Sequence, residues 1–513
     1  MTTPSSSPIR HLLTGAGLRF ISLLMAAAIG FFMTPFLIRE LGEKYFGLWT
    51  LVSSFTAMYT LLDLGLSGTV GRFVAVHTGK NDFQSVNVFV NTAIVIYCVM
   101  GVVVFFVATA LTFFASSFVE TTSDASLFAL LILIVGSEFA ISFPLRALAG
   151  TITGKLRYDV STGLEIAFKF LSTALIVTSI SLGGKLVSLA TIGLILGILR
   201  GITWYIALRK IFPEVRISPR LAERKAVRSL FGFSIFAFVA QMADFLRFQV
   251  DNLVIGVFLG PKHITHYTIS VTLSIYFINA MVAIMGVTGS VFAQQHGKGD
   301  LEGMKRMFDF STRVAVSLAS FMGFGLLAWG HPFIHRWVGH EYLDAYPCLA
   351  VMTIGLTFAL WQTSSVTVLY SRGKPHLYAI INSVEAVANL VCSMIFVQYW
   401  GIFGVALGTC LPMIVVKLIL QPLFVSQALE MPLLKYYFLL YKAAFYSLIA
   451  LIVPAIFTYW VKYPSYPALF AVGSFAAITY IPAVVMLNFS SDERRKIANS
   501  LTKHRLQPSL NSH

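Results

Sequence analysis

Charge is what this sequence has least of: Asp, Glu, Lys and Arg together make 12% of its 513 residues, against about 25% in a soluble domain. With 57% of positions hydrophobic, that scarcity excludes a water-soluble globular fold, whose surface could not hold so much apolar side chain. Cysteine is also scarce. Cys98, Cys348, Cys392 and Cys410 lie in or beside apolar runs without CxxC spacing, so they read as packing thiols and report no redox compartment. Phosphate-loop chemistry is missing, because Gly150 to Lys155 has three residues between its glycines and Leu156 after the lysine. His331, His335 and His340 near Glu341 and Asp344 have metal-binding side chains, but beside Trp337 they read as an interfacial loop, and no metal or cofactor is expected.

What is present is apolar length. Runs of roughly 20 residues, enough to span about 30 Å of hydrocarbon, recur at about 17–38, 46–71, 88–115, 126–149, 164–182, 187–208, 231–259, 266–292, 309–330, 346–370, 380–399, 404–426, 442–461 and 468–487. The expected fold class is an all-α polytopic membrane protein of about fourteen transmembrane helices. The first run continues past Ala26-Ala27-Ala28 and reads as a span, not a cleaved signal.

The net charge of +15 would suggest nucleic acid only if the basic residues formed one patch. Instead they alternate with the membrane, roughly 25 of 37 in loops on the amino-terminal side and about six opposite. Both termini are therefore expected in the cytoplasm, with no nucleic-acid partner. The longest opposite loop, 330–345, has no room for a catalytic domain, which disfavours a membrane enzyme of glycan assembly.

An internal repeat overlies the spans. Gly42-Glu43-Lys44 to Thr50 reappears in outline as Gly260-Pro261-Lys262 to Thr268, an offset of 218 that also carries Gly68 to Gly286, Gly71 to Gly289 and Gly79-Lys80-Asn81-Asp82 to Gly297-Lys298-Gly299-Asp300. Farther on, Gly154-Lys155 maps to Gly373-Lys374, and Tyr158 and Glu165 map to Tyr378 and Glu385. Six helices read as duplicated. Six is even, so both copies enter the membrane in one orientation, predicting two pseudo-twofold lobes, 1–208 and 231–426, with a substrate site between them. Residues 209–230 form the expected cytoplasmic inter-lobe linker, 427–487 hold helices 13 and 14, and 488–513 form a cytoplasmic tail. Within the linker, Arg220 to Arg228 reads equally as a basic amphipathic helix on anionic lipid or as a solvated connector.

A charge at a helix centre costs roughly 2.5–3.5 kcal/mol, so it is kept where it meets water, a partner or a substrate. In the seventh span Gln241, Asp244, Arg247 and Asp251 are spaced i, i+3, i+6, i+10, within a stripe roughly 120° wide. The stripe faces a cavity or neutralises itself, with Arg247 between the two aspartates. The repeat counterparts Ala26, Ile29 and Met33 are apolar, and Asp63 corresponds to Met281. Glycines kept the register and charges did not, which suggests specialisation for an asymmetric substrate or ion. Asp63, followed by Gly65, Gly68 and Gly71, reads as a cation-responsive hinge or as a cap on a broken helix. Glu165 and Lys169 are expected to pair at i, i+4, while Arg200, Arg313, Lys417 and Glu138 are single charges in apolar surroundings. Together Lys169, Arg200, Arg247, Arg313 and Lys417 suggest an interior that holds an anionic head group, which the arginine fork engages bidentately.

Phe46-Gly47-Leu48-Trp49, Leu62-Asp63-Leu64-Gly65-Leu66, Arg72-Phe73 and Gly79-Lys80-Asn81-Asp82, echoed at Gly401-Ile402-Phe403-Gly404-Val405-Ala406, carry a resemblance. Over about 400 residues the chain resembles the Wzx-like polysaccharide flippases of the multidrug/oligosaccharidyl-lipid/polysaccharide exporter superfamily. The resemblance implies an alternating-access carrier that moves undecaprenyl-pyrophosphate-linked oligosaccharide across the inner membrane for surface polysaccharide biosynthesis. On that reading Arg247, with Arg200, Arg313, Lys417 and Lys169, holds the head group, and Asp63 or the Asp244 and Asp251 pair binds a proton or sodium ion. Membrane lipids and the polysaccharide polymerase machinery are the other partners it implies. The alternative is an exporter of small amphipathic or drug-like molecules on the same fold.

Overall fold

The structure, a computed structural model, describes residues 25–495 except 27, 64–65, 120, 156, 232–237, 239–241, 243–249, 286–287, 289–291, 293–294, 297–298 and 460–464. It is all-α, with no strand among the described residues. This follows from the apolar runs, since a helix satisfies its own backbone hydrogen bonds where lipid offers none. Eight described helices are long and apolar enough to cross a membrane, or up to ten if two bent pairs each count as one span.

Three features separate that number from fourteen. Much of the expected spans at 17–38 and 231–259 lies outside the described residues. The expected span at 46–71 is broken, with helices at Glu43–Leu61 and Leu66–Gly79. The third is the helical run Pro375–Leu429, which turns at Gly401 (φ 56°, ψ −136°). A Cβ on Gly404 would lie 2.1 Å from the Phe396 carbonyl oxygen, and Ser393 Oγ donates to the Val405 carbonyl at 3.4 Å. The chain therefore folds back there, and the expected spans 380–399 and 404–426 are its two arms. Only glycine takes that combination of φ and ψ without strain.

The repeat is visible in backbone geometry. Gly42 (φ 80°) and Gly260 (φ 84°) both precede a helix, as do Asn81 (φ 56°) and Gly299 (φ 67°). Asp82 caps the helix Phe83–Thr112, accepting from Ser85 N at 3.0 Å, and Asp300 caps Leu301–Trp337, accepting from Gly303 N at 2.7 Å. An aspartate there satisfies an N–H that the helix cannot.

The chain divides into two compact units, residues 1–268 with 390–405, and residues 269–389 with 406–513. In the first, the helix Thr122–Gly154 packs against Phe83–Thr112, Leu186–Ile211 and Leu66–Gly79. Small residues allow the approach: a Cβ on Gly101 would meet the Ala140 carbonyl at 2.5 Å, and one on Gly154 the Gly71 carbonyl at 2.6 Å. Gly68 faces open space, while Gly286 and Gly289 lie outside the described residues. The start of the linker is strapped to the helix Phe83–Thr112. Asn87 Oδ1 accepts from Arg216 N (2.6 Å), Asn91 Oδ1 from Ser218 N (2.7 Å) and Thr92 Oγ1 from Glu223 N (3.0 Å), and Phe212 and Val215 are buried.

In the second unit the helix Leu301–Trp337 packs against Ala345–Leu360, Leu433–Ala450, Thr363–Ser371 and Tyr466–Asn488. The helices beyond the duplication are part of this core. Tyr436 and Leu440 join Met304, Phe308 and Trp361 in it, and Tyr480 Oη donates to the Ser317 carbonyl at 2.8 Å.

Candidate functional site

Buried charge is the feature that chemistry can use, and among the described residues of the first unit three aspartates are buried: Asp124, which pairs with Lys44, and the two expected site residues Asp63 and Asp251. Asp63 lies in the turn after Glu43–Leu61, its carbonyl accepting from Leu66 N at 2.9 Å. Its side chain is buried. Tyr97 Oη donates to Asp63 Oδ1 at 2.5 Å, and Arg146 Nη1 stands 3.7 Å from the same oxygen. The Arg146 guanidinium lies over the Phe143 ring at 4.9 Å. The Asp63 carboxylate thus has one close donor and one looser cation. Asp251, also buried, accepts from Tyr267 Oη at 2.6 Å, and the adjacent Asn252 Nδ2 donates to Ser54 Oγ at 3.1 Å. Gln241, Asp244 and Arg247 lie outside the described residues, so Asp251 alone represents the expected stripe.

Arg200 and Glu138, which sequence reasoning took as single charges, face each other across two helices at 4.0 Å. Gly193 and Gly197 make the room: a Cβ on either would come within 3.0 Å of the Glu138 side chain. Lys169 and Glu165 are both exposed, and the expected i, i+4 ion pair between them is not found among the described residues.

The second unit holds the best-buried pair. Lys417 Nζ lies 3.3 Å from Glu385 Oε2 and 3.2 Å from Asn382 Oδ1, with side chains 4% and 2% exposed for the two ions. The two arms of Pro375–Leu429 supply the partners, so the fold-back at Gly401 creates the site. Gln362 Nε2 donates to the Lys417 carbonyl, Tyr436 Oη donates to Gln362 Oε1 at 2.9 Å, and Gln421 Nε2 donates to the Gln362 carbonyl at 3.1 Å. Of these, the Lys417 Nζ to Asn382 Oδ1 bond offsets part of the desolvation of the buried ion pair, and the Gln362 bonds satisfy neighbouring carbonyls.

Arg313 is held by Asp309 Oδ2 (2.6 Å), Glu493 Oε1 (2.7 Å) and the Asn488 carbonyl (2.7 Å). Arg313 hydrogen-bonded to Glu493, with Ser490 beside it, holds the Glu493 carboxyl down to about 2. Arg200, Arg313 and Lys417 thus each have a carboxylate of their own. His335 and His340 stack edge to face at 5.6 Å, and no group of three His, Cys, Asp or Glu among the described residues could hold a metal ion.

Sequence reasoning missed Tyr97, Arg146, Tyr267 and Asn382. Arg146 carried the same signal as Arg200, a cation inside an apolar run, and was findable by that rule. The tyrosines were not, because an aromatic residue in an apolar run looks like any packing residue.

Comparison with known proteins decides the family. A family model described as polysaccharide biosynthesis protein matches residues 12–292, more than half of the chain. The chain belongs to that family. A second model, MatE, matches residues 237–395 of this polysaccharide biosynthesis family member. Among relatives, the probable low-salt glycan biosynthesis flippase Agl15 of Haloferax volcanii is 21% identical, covering 76% of this chain and 79% of its own. The putative O-antigen transporter of Shigella flexneri is 23% identical over 76% of this chain and 92% of its own. Two solved structures share the fold at 14% identity each. The lipid II flippase MurJ in an inward closed conformation has a TM-score of 0.68 over 95% of this chain and 100% of that one. An inward-facing multidrug resistance MATE family transporter of the MOP superfamily has a TM-score of 0.70 over 82% and 99%. The expected exporter-superfamily fold is therefore the observed one, and the protein is a multi-pass membrane protein.

Proposed function

We propose that this protein flips undecaprenyl-pyrophosphate-linked oligosaccharide across the inner (plasma) membrane for surface polysaccharide biosynthesis, with both termini cytoplasmic. The observation that carries the reading is the polysaccharide biosynthesis family match over residues 12–292. Relatives named as a glycan flippase and an O-antigen transporter support it. No bond of the substrate is made or broken in this process. The head group enters a cleft between lobes 1–208 and 231–426, is engaged by Arg247 with the other intramembrane cations, and leaves its polyprenyl tail in lipid. The lobes exchange access by rocking about residues 209–230.

A proton or sodium ion at Asp63, or at the Asp244 and Asp251 pair, biases the return. The Tyr97 and Arg146 contacts of Asp63 support that role, since a carboxylate moved between water and a drier site changes its proton affinity with conformation. The test is flipping of lipid-linked glycan in proteoliposomes under imposed gradients. Arg247→Ala is expected to stop transport at normal protein level, and Arg247→Lys to restore part of it. Asp63→Asn is expected to transport without responding to pH or sodium. Wild-type rates in Arg247→Ala sink the head-group assignment. A wild-type gradient response in Asp63→Asn makes that residue a structural cap.

The MatE match over residues 237–395 favours a second reading, export of small amphipathic molecules on the same fold. Accumulation of a fluorescent cationic dye by the same proteoliposomes, without glycan flipping, selects it.

A further inference from the structure

Two adjoining cavities open along the exposed face of the helix Leu433–Ala450, outside the duplicated helices. One, of about 530 Å³, is polar, with Asp309, Arg313 and Glu493 beside Lys435 and Lys442. The other is an apolar groove of about 1340 Å³ walled by Leu418, Tyr441 and Phe445. They share Lys435, Phe438, Lys442 and Tyr446, so a polar pocket runs directly into an apolar trough.

The charges within the pocket are unequal. Arg313 is committed to Asp309 and Glu493, whereas neither Lys435 nor Lys442 forms an ion pair among the described residues. Three cations against two carboxylates leave a surplus of one positive charge, carried at the lysine mouth. The lysines are seven residues apart on one helix face, about 10.5 Å along the axis. Lys442 Nζ lies between the Phe438 and Tyr446 rings, 5.7 and 6.0 Å from their centroids, with its stem on the apolar wall. Tyr437 and Tyr441 stack at 6.0 Å on the same wall, the amphipathic residues found at the depth of lipid head groups.

We propose that these cavities form a binding site for an anionic glycerophospholipid of the bilayer, with its phosphate between Lys435 and Lys442 and an acyl chain along Tyr441 and Phe445. Charge complementarity selects an anionic head and the trough selects a chain. The pocket floor includes Arg313, one of the cations of the proposed substrate path, so the lysines and the trough wall, Lys435, Lys442, Tyr441 and Phe445, are what distinguish the lipid site from it. Helices 13 and 14 then serve as a lipid-reading surface, and the Arg313 and Glu493 clasp forms the pocket floor.

Native mass spectrometry of the full chain in nonionic detergent tests this with phosphatidylglycerol, phosphatidylethanolamine and farnesyl diphosphate as probes. Wild type is expected to retain phosphatidylglycerol over phosphatidylethanolamine. Lys435→Ala with Lys442→Ala is expected to weaken phosphatidylglycerol about 30-fold, which corresponds to about 1 kcal/mol per lysine at 1.4 kcal/mol per decade. Lys80→Ala, at another exposed lysine, is expected to change nothing. Both lysines are exposed, so their loss leaves the core intact, and an unchanged melting curve verifies it. Unchanged phosphatidylglycerol affinity in the double variant overturns the proposal. So does farnesyl diphosphate displacing phosphatidylglycerol with the same lysine dependence, which would make this a substrate surface.

Discussion

Neutralising one side of the Glu385 and Lys417 pair should harm the protein more than neutralising both. The charges are 3.3 Å apart and almost fully buried. At an effective dielectric of about 20 their attraction is about 5 kcal/mol, most of it offset by the desolvation of burial. Lys417→Met keeps the volume, leaves Asn382 and the Gln362 network in place, and strands the carboxylate without its ammonium. Removing one partner of a buried pair costs about 3–5 kcal/mol, whereas replacing both with groups of similar shape is near neutral. Glu385→Gln should therefore destabilise, Lys417→Met should destabilise comparably, and the double variant should lie closer to wild type than either single one. The assay is SDS-induced unfolding of the purified protein in mixed micelles followed by tryptophan fluorescence, with the four proteins forming a double-mutant cycle. Single effects that add within about 0.5 kcal/mol refute the reasoning, because an interacting buried pair cannot behave as two independent sites.

Tyr97→Phe removes the donor to the buried Asp63 carboxylate and should cost about 1.5–3 kcal/mol in the same unfolding assay, whereas Tyr45→Phe at an exposed tyrosine should cost nothing measurable. Gly47→Ala places a Cβ 1.8 Å from the Pro261 carbonyl oxygen, a backbone atom that cannot step aside, so about 1–3 kcal/mol of overpacking strain is expected; Gly68→Ala, in open space, should be neutral or up to about 1 kcal/mol stabilising, and equal effects at the two glycines would show that the close contact is not made. The Glu493 carboxyl is held down to about 2 from its usual 4.5, chiefly by the Arg313 hydrogen bond, so the clasp contributes stability fully above pH about 4.5 and loses it as pH falls toward 2. Amide exchange at 490–495, corrected for intrinsic rate, should therefore stay protected from pH 7 to 5 and rise toward pH 2. Glu493→Gln should lack that acid dependence and show the higher exchange already at pH 7.

Membrane class, helical architecture and the local echo at an offset of 218 were legible because each rests on a local or periodic rule. Twenty apolar residues must become a helix in lipid. An aspartate three residues ahead of a helical N–H caps it, so Asp82 and Asp300 behave alike at an offset of 218. Gly42 and Gly260 share a left-handed φ for the same local reason. Charge inside apolar runs likewise marked Asp63, Glu138, Arg200, Arg313 and Lys417, each of which has an oppositely charged neighbour in the structure. Which charge meets which was decided only by the tertiary structure. Asp63 and Tyr97 are 34 residues apart and Arg313 and Glu493 are 180 apart, separations at which no periodicity acts. Lys417 reaches Glu385 only because the chain folds back at Gly401, and Glu165, its repeat counterpart, stays exposed. Backbone rules act over a few residues, so sequence carries them in plain view. Side-chain partners depend on which helix faces pack together and on satisfying every buried donor and acceptor at once, a condition set by the whole fold.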